Sequence, residues 1–159
     1  STLLIIGLGI WRLSSKKTPL QNMAVAPVEK IKLKRSNGAV LVLGDSSKTV
    51  QDKAVHIQSD SSSITYTATA NRQAAVIFDT LEVPRGRTYA LELPDGTRVS
   101  LNASSRLVFP EVFNGDKREV YVEGETFFDV KHDALHPFIV HAGNVSMTVL
   151  GTAFNVKTG

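Results

Sequence analysis

The sequence predicts an all-β domain, an antiparallel β-sandwich or β-roll of about ten short strands, entered through a short N-terminal helical stub. Three observations carry that reading. Beyond residue 27, apolar side chains recur at every second position rather than at helical spacing. Turn-forming dipeptides separate the alternating runs, and no stretch after the stub keeps a 3.6-residue period. The 159 residues, 42% hydrophobic and 21% charged, suffice for one ordinary domain or two small ones. That composition excludes a disordered tail and a polytopic membrane protein.

The stub comes first. Leu3 to Ile10 carries no charge, contains two glycines and ends on Trp11 and Arg12. A spanning helix needs about 20 apolar residues, so this run is too short to cross a bilayer alone. It fits the outer end of a transmembrane helix, a signal-peptide core without its charged start, or a buried piece of the domain. The first is the working expectation: residues 1–13 as the C-terminal end of a truncated transmembrane helix. Arg12, Lys16 and Lys17 cut against placing the rest of the chain outside, because such charge usually marks the cytoplasmic flank. Residues 14–27 turn polar between Pro19 and Pro27 and read as a linker. Residues 28–159 read as the β-domain, expected to be truncated at its C-terminus because the strand-like run Thr152–Val156 stands directly before Gly159.

Within the domain, Ile31 and Leu33 alternate with lysines, and Ile64, Tyr66 and Ala68 with threonines. Tyr89, Leu91 and Leu93 lead to Val99 and Leu101, then to Val120 and Val122. Phe128 and Val130, Phe138 and Val140, Val145 with Met147 and Val149, and Phe154 with Val156 complete the set. β-Branched and aromatic residues on one parity mark half-buried strands. Asn37-Gly38, Asp95-Gly96, Asn114-Gly115 and Gly143-Asn144 supply the turns. An internal echo at an offset of 58 sets Ile31–Val50 on Tyr89–Val108: Leu33 meets Leu91, Gly38 meets Gly96, and Ser46-Ser47 meets Ser104-Ser105. Two copies are too few for a solenoid, so the echo reads as a duplicated hairpin unit.

Chemistry is sparse. The net charge of +3 is spread without the basic block or aromatic-interleaved stripe of a nucleic-acid surface. With no cysteine, disulfides, Cys-based zinc sites and thiol catalysis are excluded. His132 and His136 stand four apart near Asp129 and Asp133, a metal-ligand spacing only if helical. Pro137 pushes His136 away from the α region, so a solvated turn is the better reading. Ser104-Ser105 lacks the flanking glycines of a nucleophile elbow and reads as turn chemistry. Glu123 and Glu125 share one parity beside Lys117 and Arg118, a cross-strand charge pattern before an acid–base pair. No phosphate loop is present. No enzyme, cofactor or metal emerges.

An ordered motif series remains. Val83-Pro84-Arg85-Gly86 leads into Leu91-Glu92-Leu93-Pro94-Asp95-Gly96-Thr97-Arg98-Val99-Ser100-Leu101-Asn102-Ala103-Ser104-Ser105. Phe109-Pro110, Arg118-Glu119-Val120, Gly124-Glu125 and Phe127-Phe128-Asp129-Val130 come next, then Pro137-Phe138-Ile139-Val140 and Val149–Val156. This series closely resembles the FecR family of bacterial transmembrane anti-sigma regulators, especially its Bacteroidetes-type members, over Val83–Val156.

The resemblance implies a single-pass inner-membrane protein with this domain in the periplasm. It implies protein partners: the signalling domain of a TonB-dependent outer-membrane transporter carrying an iron chelate or a glycan, and an extracytoplasmic-function sigma factor held by a cytoplasmic segment. The motif residues Pro94, Asp95, Gly96, Thr97, Asn102, Ser105, Gly124, Glu125, Phe128, Val130, Pro137, Phe138, Gly151, Thr152, Phe154 and Asn155 are expected to determine the fold rather than to touch a partner. Asn102 and Asn155 are expected to satisfy buried backbone at corners. The rival reading is a membrane-anchored periplasmic glycan- or peptidoglycan-binding β-domain without a regulatory role.

Overall fold

The computed structural model describes residues 27–69 and 76–159, so the stub and nearly all of the linker lie outside the described residues. Fourteen strands fall among the described residues. In order they are β1 (Ile31–Lys34), β2 (Val40–Leu43), β3 (Lys48–Gln51), β4 (Val55–Ser59) and β5 (Ser63–Ala68). Next come β6 (Phe78–Val83), β7 (Tyr89–Glu92), β8 (Arg98–Leu101), β9 (Ser105–Pro110) and β10 (Arg118–Glu123). The last are β11 (Glu125–Asp129), β12 (Phe138–Ala142), β13 (Val145–Val149) and β14 (Ala153–Lys157). They form two seven-stranded sheets, β13-β12-β10-β9-β6-β1-β2 and β14-β11-β8-β7-β5-β4-β3.

The all-β expectation holds, with two differences. There are fourteen strands rather than about ten, and each sheet contains one parallel neighbour pair, β10 with β12 and β5 with β7. Two elements hide from an alternation reading for a physical reason. In β6 the first inward position is the fully buried Asp79, so its apolar parity starts late. In β2 the run Val-Leu-Val-Leu has no polar residues to mark a face, and its outward Val40 and Val42 are exposed.

The core lies between the sheets. Tyr66 of one sheet meets Phe109 of the other edge-on, centroids 5.0 Å apart, and Phe128 meets Phe138 at 6.1 Å. Ile31, Leu33, Leu81, Leu91, Leu101, Leu107 and Val120 fill the space around them, all buried. Each such side chain contributes about 1.5–3 kcal/mol on leaving water, and aromatic contacts of this geometry add about 0.5–1.5 kcal/mol.

The internal echo is a structural repeat. In the first copy Ile31 pairs with Leu43 and Leu33 with Leu41; in the second Tyr89 pairs with Leu101 and Leu91 with Val99, the same register 58 residues on. The loops repeat bond for bond. Gly38 N donates to Arg35 O at 3.0 Å and Gly96 N to Leu93 O at 2.8 Å, both glycines at φ +85°. Asn37 Oδ1 accepts from Ala39 N at 2.9 Å, and Asp95 Oδ1 from Thr97 N at 3.0 Å. The positive φ explains the glycine, since an L side chain is strained there. The two hairpins lie in opposite sheets, and the third strand of each copy, β3 or β9, crosses to the other sheet.

Candidate functional site

The second-copy turn is the base of a buried polar cluster. Asp95 turns the chain after β7, and its Oδ2 accepts from Thr97 Oγ1 and from Arg118 Nη1, each at 2.7 Å. Arg118 also donates from Nη1 to Lys131 O at 2.9 Å and from Nε to His136 O at 2.8 Å. Its guanidinium lies 5.3 Å from the centre of the Phe138 ring. Lys131 N donates to the fully buried Thr97 hydroxyl at 3.2 Å, and Arg118 N donates to Pro137 O. The cluster therefore ties the β7–β8 turn, the start of β10 and the segment before β12 together. Pro94, Asp95, Gly96, Thr97, Pro137 and Phe138 meet there. Gly96 adds a packing reason to its φ, because a Cβ would sit 3.3 Å from the Lys131 side chain.

A second group closes the corner between β8 and β9. Ser105 Oγ donates to Glu125 O at 2.9 Å and accepts from Glu125 N at 3.0 Å. Gly124, at φ +89°, packs so closely that a Cβ would come 2.5 Å from that hydroxyl and 2.8 Å from Ser104 O. Ser104 takes φ 58° to make the bend. Asn102 and Asn155 do not act as expected: both side chains are exposed, and the corner is closed by Ser105 instead.

Phe128, Phe138 and Phe154 form the third group, with Phe154 stacked on Phe128 at 5.4 Å. Val130 N donates to Thr152 O, and Gly151 lies against the His132 backbone with room for no side chain, since a Cβ would fall 2.7 Å from the His132 Cβ. Glu125 pairs with Lys157 across β11 and β14.

The histidines behave as turn residues. Asp133 Oδ1 accepts from Leu135 N at 2.9 Å and His136 N at 3.2 Å, and its Oδ2 lies 2.8 Å from His136 Nδ1. The His136 contact, with the Leu135 amide next, holds the Asp133 carboxyl below its usual range. Among the described residues no group of three or more His, Cys, Asp or Glu is placed to hold a metal.

Sequence reasoning missed a further buried cluster. Arg35 donates to Glu111 Oε1 at 2.6 Å and to Asp79 Oδ2 at 3.3 Å, while Tyr66 OH donates to Asp79 Oδ2 at 2.6 Å. Ser36 N donates to Asp79 Oδ1, and Asp52 lies 3.4 Å from Arg35 Nη2. Burial opposes the Arg35 charge, yet Glu111 and Asp79 together raise its pKa. Burial, then the Asp79 charge, pushes the Tyr66 phenol far above its ordinary value. A readable signal existed. Arg35 continues the parity of Ile31 and Leu33, Asp79 precedes Leu81 and Val83, Glu111 follows Leu107 and Phe109, and Arg118 precedes Val120 and Val122.

These clusters tie strand ends together, which suits them to fixing geometry, although Arg118 Nη2 has no hydrogen-bond partner among the described residues and Asp95 and Arg118 line a cavity of about 380 Å³ with Asp133 and His136. An apolar groove opens at one side of the sandwich. Edge strands β13 and β14 flank a groove of about 480 Å³ where Val145 and Met147, on core parity, are exposed. Its walls present unpaired strand edges, as a protein-contact surface does.

Comparison with known proteins agrees with this picture. The family model described as FecR protein matches residues 79–159, from β6 through β14. Two crystal structures of a candidate anti-sigma factor from Parabacteroides distasonis ATCC 8503 are similar, at 42% and 43% identity with TM-scores of 0.50 and 0.49. The matches cover 51% and 50% of this chain but 38% and 37% of those chains, so it spans well under half of their length. No curated protein matches.

Proposed function

Because the chain belongs to the FecR protein family, we propose that it is the periplasmic β-domain of a single-pass inner-membrane anti-sigma regulator. In this reading the domain passes a signal from the signalling domain of a TonB-dependent outer-membrane transporter. The receiver is an extracytoplasmic-function sigma factor held by a cytoplasmic segment. The family match over β6–β14 carries the reading. The solved relative at 42% identity supports its anti-sigma part, and the apolar run Leu3–Ile10 supports the anchor.

The chemistry of the chain suits a relay that works by binding. Its ionised clusters bond to each other and to backbone, and the exposed surface of β13 and β14 offers main chain to a partner strand. The test is a sigma-dependent reporter in the parent organism. Deleting residues 79–159 from the full-length protein should uncouple the reporter from the transporter substrate. Induction that survives the deletion unchanged sinks the relay, and capture of purified domain by peptidoglycan or glycan beads would favour a binding module.

A further inference from the structure

Charge tracks the layout of the sheets. Both sheets divide at the same place: β1–β6 lie on one side of the seams β6–β9 and β5–β7, and β7–β14 on the other. Among the described residues 27–69 and 76–87, eight Lys and Arg stand against six Asp and Glu, whereas residues 88–159 hold six against nine. A mildly positive half and a negative half thus lie side by side among the described residues. Arg87 counts with the first half, since its Nη2 donates to Gly44 O at 3.3 Å.

On the negative side Arg98, Arg106, Arg118 and Lys157 are each held by an acid, Glu92, Glu123, Asp95 and Glu125 respectively, while Lys117 and Lys131 stand outside ion pairs among the described residues. On the positive side Lys32, Lys48 and Lys53 are exposed and stand in no ion pair among the described residues. They surround the β2/β3 side: Lys32 on β1, Lys48 on the edge strand β3, and Lys53 in the turn after it. The sequence that precedes β1 contains Arg12, Lys16 and Lys17.

We propose that the β2/β3 side of the domain rests against an anionic phospholipid headgroup surface, with the β13/β14 side turned away from it. The inference builds on the membrane anchor of the proposed function. A headgroup layer fits because it is a broad negative plane, matching unpaired lysines spread along a sheet edge rather than gathered in a pocket. Each lysine near such a surface strengthens binding roughly fivefold, and the effect fades beyond about 10 Å at 0.1 M salt. β13 and β14 carry a single cation, Lys157, already held by Glu125, so that side is left free for a protein partner.

Vesicle co-sedimentation of the whole chain tests this, using phosphatidylcholine vesicles and phosphatidylcholine vesicles containing phosphatidylglycerol. The parent should bind the anionic vesicles more tightly. The variant Lys32→Glu/Lys48→Glu/Lys53→Glu should lose at least tenfold on them and nothing on the neutral ones. The control Arg106→Glu/Lys117→Glu/Lys157→Glu makes an equal charge change on the other half and should bind nearly as the parent does; thermal melts verify that both variants fold. Equal binding by parent and first variant overturns the inference while leaving the anchor standing. An equal loss in the control also overturns it, by assigning the effect to total charge. Failure of the parent to bind the anionic vesicles overturns the inference while leaving the anchor standing, since Leu3–Ile10 alone is too short to cross a bilayer.

Discussion

Arg118 serves three structural segments with one side chain. Four bonded or stacked partners surround a guanidinium whose side chain is only 4% exposed. Removing the cation would leave the Asp95 carboxylate poorly solvated without its partner, which costs about 3–5 kcal/mol for a buried pair. Arg118→Met is therefore expected to lower the denaturant midpoint strongly, and the double change with Asp95→Asn to recover part of the loss. A midpoint unmoved by Arg118→Met would show the cluster to be incidental. Gly124 is the other sensitive position, because both φ and space exclude a side chain. Gly124→Ala should cost about 2–4 kcal/mol, from backbone strain and overpacking against Ser105. A calorimetric melt measures it, and parent-like unfolding would contradict the corner geometry.

At the scale of elements, the β4–β5 turn supplies a pH test. Asp60 Oδ1 accepts from Ser62 N and Ser63 N, each at 2.7 Å, and these bonds hold its carboxyl below the ordinary range. A depressed folded-state pKa lends stability above the unfolded value near 3.9, lost as pH falls through the folded value. Asp60→Asn keeps an acceptor but no charge, so it should melt below the parent at pH 7 and draw level with it in acid. A gap that persists at pH 2 would assign the effect to geometry. Nearby, burial and the Asp60 charge push the Tyr89 phenol up to about 12.

Strands also differ in how legible they are in the sequence. Strands such as β7, β8 and β12 alternate cleanly because one face is buried, and their turns carry the glycines they need. The parallel neighbours β5 with β7 and β10 with β12 are not legible, since pairing across the fold leaves no local mark on either strand. Asp79, Arg35 and Glu111 escape a reading by alternation, because a charged residue ordinarily marks solvent. At a strand end on core parity it marks a buried ion-pair or hydrogen-bond partner. The fold-determining role expected of Gly96, Ser105, Gly124 and Gly151 has a geometric basis here, whereas exposed Asn102 and Asn155 have none.

At the scale of the whole molecule, the two halves meet along two strand pairs among the described residues, yet one apolar cluster runs through both. Leu81 sits on that seam, opposite Leu33 on one flank and Leu107 on the other. Leu81→Ala should cost about 2–5 kcal/mol and lower the stability of both halves equally. Residue-resolved NMR through a urea titration checks this: one shared midpoint is expected, and separate midpoints would make the halves independent folding units.

The hairpin units that send their third strand into the opposite sheet belong to a wider habit of this chain. In strand order from β1 to β14 the polypeptide changes layer seven times. A slab stitched so often cannot part like the covers of a book. A pull applied ahead of Ile31 must unpick the seam thread by thread, and the first threads it meets are the hairpin of β1 and β2 and its neighbour β6.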